Sequence, residues 1–197
     1  MRVGEGCLAR LADRFMARIR LYVATSLDGF IADGEGSVDW MAPYDARLYG
    51  YDKFLAEVGV LVMGRRTFEM INATGEDWPY EGLNVIILSS ESLSGLPRGV
   101  VTAGSGMLSA LQRARETTQK DIWIMGGAAT LQSALEEGLV DLVELFLVPV
   151  LLGSGLTLLN DLRRRQSLVF DGIEAFPDGV VKLRYIVPKG DRARARA

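Results

Sequence analysis

The sequence predicts an α/β protein: a mainly parallel central sheet with helices on both faces and an antiparallel hairpin at its C-terminal edge. Three observations carry this. Short apolar runs of strand type alternate with helical spacings through the first two thirds of the chain. The remainder is β-rich. Asp178-Gly179 stands between two alternating runs, a strong hairpin signal.

Taken in order, Ile19 to Thr25 reads as the first strand. Ser26 to Gly36 carries three glycines and three aspartate or glutamate residues, so it reads as a turn-rich loop. After Trp40, Tyr44 to Val58 has helical spacing through Leu48, Tyr51, Phe54 and Leu55. Val60 to Met63 is a buried-type strand. Gly64-Arg65-Arg66-Thr67 opens a helix with Phe68 and Ile71 inward. Asn72 to Gly82 is irregular. Asn84 to Leu88 and Val100 to Ala103 read as strands, the first closed by Ser89-Ser90. Ser105 to Thr118 is an amphipathic helix with Leu108, Leu111 and Ala114 inward. Ile122 to Met125 is a strand that runs through Gly126-Gly127 into a helix marked by Leu131, Ala134 and Leu135. Leu139 to Val150 is a long apolar run, punctuated by Pro149, Gly153 and Gly155. Ser167 to Ala175 and Val180 to Val187 form the hairpin. Residues 1–18 read as an N-terminal extension, with Leu8, Leu11 and Phe15 on one face of a short helix. Residues 19–188 form one domain, and 189–197 a basic tail.

Composition narrows the chemistry. With 49% hydrophobic and 24% charged residues, the 197-residue chain is ordinary for a globular protein with its own core. A net charge of −3 gives no basic field for nucleic acid. No apolar run spans a membrane, and the N-terminus has no signal-peptide pattern. The single cysteine, Cys7, excludes an internal disulfide and fits a reducing cytoplasm. Histidine is absent, which removes the commonest general base and, with one cysteine, the usual zinc sites; no metal is expected. Proton chemistry is left to carboxylates, tyrosine, lysine, water or a cofactor.

The strand–Gly126-Gly127–helix passage suits a phosphate. Bare backbone there lies beside unpaired helix N–H groups and the positive end of a helix dipole. The same two glycines also suit a plain tight turn. Arg65 and Arg66 stand at another helix start, where two cations repel the dipole unless an anion is present. A solvated pair is the alternative.

Four stretches in order resemble the dihydrofolate-reductase-like superfamily, and the similarity covers nearly all of Ile19 to Val187. Ser26-Leu27-Asp28-Gly29 with Ile31-Ala32 is similar to the reductase domain of the bifunctional riboflavin-synthesis deaminase–reductase. Met63-Gly64-Arg65-Arg66-Thr67-Phe68-Glu69 and Leu88-Ser89-Ser90 are more similar to dihydrofolate reductases. Met125-Gly126-Gly127 and Pro149-Val-Leu-Leu-Gly-Ser-Gly resemble the stand-alone bacterial members. The deaminase half, with its zinc ligands, has no counterpart here.

The resemblance implies NADPH as hydride donor and a pyrimidine or pterin-like substrate. Arg65 and Arg66 would grip the adenosine 2′-phosphate, with Ser89 and Ser90 at the same end. Thr67 would reach the pyrophosphate. Gly64, Gly126 and Gly127 would let the backbone approach it. Ala24 and Ile31 would hold the nicotinamide carboxamide through backbone groups. Asp45, five residues after Trp40, matches the dihydrofolate reductase carboxylate; it equally suits a helix-start acid. Asp28 is the second catalytic candidate, with turn chemistry as its alternative. Glu144, in an apolar run, is either a functional carboxylate or an edge-strand residue facing water. The reaction implied first is that of a 5-amino-6-(5-phosphoribosylamino)uracil reductase, although the residues after Gly64 lack that branch's usual threonine and Asp-Pro pattern. The alternatives are dihydrofolate reduction and a non-catalytic nucleotide-binding protein of the same fold. A homodimer is expected from the apolar strands near the C-terminus and from the stand-alone relatives.

Overall fold

The computed structural model describes residues 17–75, 77–104, 106–160 and 162–189. The expected extension thus lies outside the described residues except for Ala17 and Arg18, as do the helical face of Leu8, Leu11 and Phe15 and the tail beyond Lys189. The elements are β1 (Ile19–Ser26), β2 (Phe30–Ala32), α1 (Tyr51–Glu57), β3 (Val58–Gly64), α2 (Arg65–Asn72), β4 (Asn84–Leu88), β5 (Val100–Thr102), α3 (Met107–Thr117), β6 (Asp121–Gly126), α4 (Ala128–Glu136), β7 (Leu142–Val148), β8 (Leu156–Thr157), β9 (Val169–Ala175) and β10 (Val181–Ile186). Eight strands form one sheet in the order β5-β4-β3-β6-β1-β7-β10-β9. From β5 to β7 all neighbours are parallel, and β10 runs antiparallel to both β7 and β9. The expected α/β architecture with its antiparallel edge is the observed one.

Strand periodicity sorts the core into two layers. Ile19, Leu21, Val60, Val62, Ile122 and Ile124 pack under α3 and α4. Tyr22, Leu61, Met63, Val85, Ile87 and Trp123 pack on the other side with Phe54 of α1 and Phe68 of α2. Each such side chain contributes roughly 1.5–3 kcal/mol on burial. Three expectations are corrected. Leu108 is 45% exposed, and Met107, Ala110, Leu111 and Ala114 form the inward stripe of α3 instead. The helical stretch from Tyr44 is broken at Gly50, whose φ of 81° ends a 3-10 turn over Ala46–Tyr49 before α1 begins. The loop after β1 contains β2, which pairs with β8.

Glu144 does not face water at an edge. β7 lies between β1 and β10, and Glu144 is buried among cations. Its Oε2 accepts hydrogen bonds from Arg20 Nε at 2.9 Å and from a terminal guanidinium nitrogen at 2.5 Å, and Lys182 Nζ lies 3.0 Å from Oε1. Arg20 also reaches Glu57 at 2.6 Å and Asp121 at 3.0 Å. Burial pushes the Asp121 carboxyl up, but hydrogen bonds and charge from Arg18 and Arg20 outweigh it and hold the pKa below the ordinary value. A depressed carboxyl pKa adds stability above the unfolded-state value of about 4 and loses it as pH falls through the folded-state value. Acid titration of the melting temperature is therefore expected to fall below about pH 4. Asp121→Asn should be less stable at neutral pH and show a shallower acid limb.

Candidate active site

The sheet splits at the C-terminal ends of its parallel strands. β1 pairs with β7 as far as Ser26↔Val148. With β6 it pairs only from Ile19↔Ile122 to Leu21↔Ile124, while β6 stays with β3 to Met63↔Gly126. A cleft opens between β1 and β6. Backbone directions show what lines it. The Arg18 carbonyl accepts from Ile122 N at 2.8 Å on the β6 side, and the Ile19 carbonyl accepts from Asp141 N at 2.8 Å on the β7 side. Trp123 Nε1, from β6, donates to the Tyr22 carbonyl at 3.1 Å. Period-two alternation then aims the Ala24 N–H and C=O at β6, beyond the last paired residue. Such groups in a half-buried strand call for a partner.

The two glycine-bearing loops meet at the ends of β3 and β6, on the β6 side of this cleft. A Cβ on Gly64 would lie 2.7 Å from Thr130 Oγ1, 3.7 Å from the Gly126 carbonyl and 3.8 Å from Gly127 N. A Cβ on Gly127 would lie 3.4 Å from Thr67 Oγ1. Gly126 has φ 142°, which side-chain-bearing residues rarely adopt; Gly127 has an ordinary φ of −69°. The peptide between them is cis. No side chain caps α2 or α4, so both helix N-termini keep their positive ends open toward the same place. Thr130 was not singled out from the sequence. Its signal was its place in the first turn after Gly127.

At the β3 and β4 ends, the pairing Gly64↔Leu88 sets Arg65 and Arg66 beside Ser89 and Ser90. Their duties differ. Arg65 lies 3.2 Å from both Glu69 and Glu91. Arg66 is exposed and makes no ion pair or hydrogen bond among the described residues. Ser89 is buried, its Oγ accepting from Glu91 N at 3.0 Å and donating to the Glu91 carbonyl at 2.8 Å. Ser90 is exposed.

Asp28 joins the two loops below the cleft. It accepts from Ser26 Oγ at 2.6 Å, Leu152 N at 3.1 Å and Gly153 N at 2.8 Å. The Ser26-Leu27-Asp28-Gly29 and Pro149 to Gly155 stretches are therefore one lock, and it places Ile31 on β2. Gly155 completes it: a Cβ there would fall 2.2 Å from the Ala32 carbonyl. The Ser26 hydroxyl and the Gly153 and Leu152 N–H groups hold the Asp28 carboxyl below its ordinary pKa. Asp45 caps the 3-10 turn Ala46–Tyr49, its Oδ1 accepting from Arg47 N at 3.0 Å. The Arg47 guanidinium holds both oxygens, at 2.8 Å to Oδ2, and lowers the pKa. Of its two readings, the geometry is that of the helix-start acid. Both acids are fixed as anions by donors of their own.

A parallel sheet with a split at its carboxyl ends, two open helix N-termini and facing glycines is the ligand-binding arrangement of an open α/β fold. The chain belongs to the family described as the RibD C-terminal domain, which it matches over residues 17–182. It is 29% identical over 167 residues to the uncharacterised protein YwjB of Bacillus subtilis strain 168, covering 84% of this chain and 95% of that one. YyaP of the same organism is 28% identical over 178 residues, covering 85% and 94%. A crystal structure from Shewanella sp. PV-4, named for riboflavin biosynthesis, superposes with a TM-score of 0.76 at 29% identity, covering 88% of this chain and 99% of that one. The fold also recurs in a Thermotoga maritima deaminase/reductase, at TM-score 0.68 and 17% identity, covering 92% of this chain and 59% of that one. Among the described residues, no helix is long and apolar enough to cross a membrane.

Proposed function

We propose that this protein is an NADPH-dependent reductase of a ribosylaminopyrimidine, of the riboflavin-biosynthesis type. The observation that carries the reading is the cleft between β1 and β6, with Gly64, Thr67, Gly126 and Gly127 gathered together on its β6 side. These residues fit a dinucleotide. The side-chain-free backbone and the two uncapped helix N-termini suit the pyrophosphate. The Ala24 N–H and C=O suit a carboxamide, which needs one acceptor and one donor. Arg66 and Ser90 stand ready for a 2′-phosphate, while Arg65 must exchange its glutamates to join them. The cofactor, when bound, supplies hydride.

The substrate assignment is supported by family membership and by the Shewanella relative named for riboflavin biosynthesis. Reduction of the ribose carbon bonded to the ring amine takes one hydride and one proton. Asp28 and Asp45, held as anions, serve to fix the loops around the cleft, so the proton comes from solvent. Dihydrofolate reduction is disfavoured because Asp45 is occupied by Arg47. The test is NADPH oxidation with the ribosylaminopyrimidine and dihydrofolate side by side. Turnover of dihydrofolate alone would overturn the substrate, and cofactor binding with no turnover of either would leave a nucleotide-binding protein.

Arg66 makes a sharper expectation. NADPH should bind more tightly than NADH, and Arg66→Ala should remove most of that preference. One charge-assisted contact is worth roughly 1.5–3 kcal/mol, more than tenfold in affinity. Titration of both cofactors against parent and variant checks it, and equal parental affinities would refute the 2′-phosphate site.

A further inference from the structure

β1 and β6 part just above Leu21↔Ile124, and the two faces of the sheet differ there. Alternation puts Tyr22 and Ala24 of β1 with Trp123 and Met125 of β6 on the face that carries α1 and α2. Two tyrosines stand over the junction. Tyr51, the first residue of α1, has its ring centroid 6.1 Å from those of Tyr22 and Trp123. Tyr80, from the segment before β4, lies 6.0 Å from Trp123 and 5.4 Å from Trp78. The Tyr80 hydroxyl reaches Met125 Sδ at 3.7 Å, beyond the last β1–β6 pair. The Tyr51 hydroxyl lies beside it, and both tyrosines are half-buried. With Ala24 and Met125 they border the open cleft.

A nicotinamide held by the Ala24 backbone can pass hydride only to a substrate seated against it. The opposite face is closed by α4, whose Leu131 packs with Val23 and Ile124. The tyrosine face is the one left for the substrate. Its border consists of hydroxyls, aromatic rings and a thioether, and the charges of the same face are engaged elsewhere. Arg20 precedes Ala24 by roughly 13 Å along β1 and is held by Glu57, Asp121 and Glu144. Lys182, two strands from Ala24 through Phe146, turns onto Glu144 at 3.0 Å. Asp45 is occupied by Arg47, and Asp52 and Lys53 of α1 are exposed. Burial pushes the Tyr51 and Tyr80 hydroxyls above the ordinary tyrosine value, so both stay neutral at neutral pH.

We propose that Tyr51 and Tyr80 form the substrate wall of the cleft and set its specificity, the Tyr51 hydroxyl donating to a carbonyl of a neutral pyrimidine ring. Tyr51 meets the ring. Tyr80 gives its proton to Met125 and positions the Tyr51 hydroxyl. A hydroxyl donor matches a uracil-type ring, whose edge carries carbonyl acceptors. The amino edge of a pterin presents N–H donors, which a carboxylate accepts best, and this wall offers no carboxylate. The inference deepens the reductase reading and rests on it for the identity of the ring.

Calorimetric titration with free diaminouracil and steady-state kinetics with the ribosylaminopyrimidine test it on the parent, Tyr51→Phe and Tyr80→Phe, with a thermal melt of each. Tyr51→Phe should weaken diaminouracil binding and raise KM about tenfold, with kcat changed less than about threefold. Tyr80→Phe should act in the same direction by a smaller factor. NADPH affinity should be parental in both. Tyr185→Phe, on β10, should leave all of these quantities unchanged. A parent that binds no diaminouracil overturns the wall, and so do two phenylalanine variants with parental affinity and KM. Diaminouracil binding that falls in Tyr51→Phe, in a protein whose parent takes up no NADPH, keeps the wall and overturns the cofactor reading instead.

Discussion

Glu144→Ala is expected to lower the stability of the fold by about 3–5 kcal/mol, the range for removing one partner of a buried ion pair. For a chain of this length that is roughly 6–20 °C in melting temperature. The size follows from burial. The Glu144 and Arg20 side chains are 3% and 5% exposed. Without the carboxylate, Lys182 keeps only the faces of Tyr22 and Phe146, 5.5 and 5.2 Å away. Arg20 keeps Glu57 and Asp121 but loses both bonds to Glu144. A geometric twin provides the control. Arg184 and Asp171 are 2.6 Å apart on β10 and β9, yet 45% and 29% exposed. Water and salt screen that pair, so Asp171→Ala should cost under about 1 kcal/mol. Thermal melts of the two variants separate burial from contact distance. Equal losses would mean that the Glu144 network has no special role.

The parallel strands and the hairpin were legible because their signals are local. Val85, Ile86 and Ile87 are apolar in succession because both faces of β4 are buried, and Asp178-Gly179 turns the chain wherever it stands. The strand–glycine–helix passages were legible for the same reason: glycines at a strand end can be read from one segment. What failed depends on distant partners. Glu144 reads from sequence as either a functional carboxylate or an edge residue because its cations, Arg20 and Lys182, lie 124 and 38 positions away in the chain. The hold on Asp28 is hidden for the same reason, because nothing in its own loop shows that the Leu152 and Gly153 N–H groups reach it. β2 was invisible because two or three residues pair only when β8 is brought alongside. The split between β1 and β6 is a matter of register, which no single segment contains.

Gly127→Val is expected to abolish NADPH binding while leaving the fold largely intact. The backbone at Gly127, φ −69° and ψ −164°, is open to any residue, so the substitution adds no positive-φ strain. A Cβ there meets only Thr67 Oγ1, at 3.4 Å, a contact that a small adjustment relieves. Gly126 would not serve as the test, because its φ of 142° would strain any side chain and confuse misfolding with lost binding. At Gly127 the two γ-methyl groups project toward Thr67 and the α2 N-terminus, the volume assigned to the pyrophosphate. Branching at Cβ leaves no rotamer that moves both aside. The open N–H groups of α2 and α4 would then lose their anion. Calorimetric titration with NADPH should show no binding, and the melt of the same protein should shift by no more than a few degrees. Near-parental affinity in a folded Gly127→Val protein would mean that the two glycines make a turn and nothing more, and the cofactor would have to lie elsewhere along the sheet.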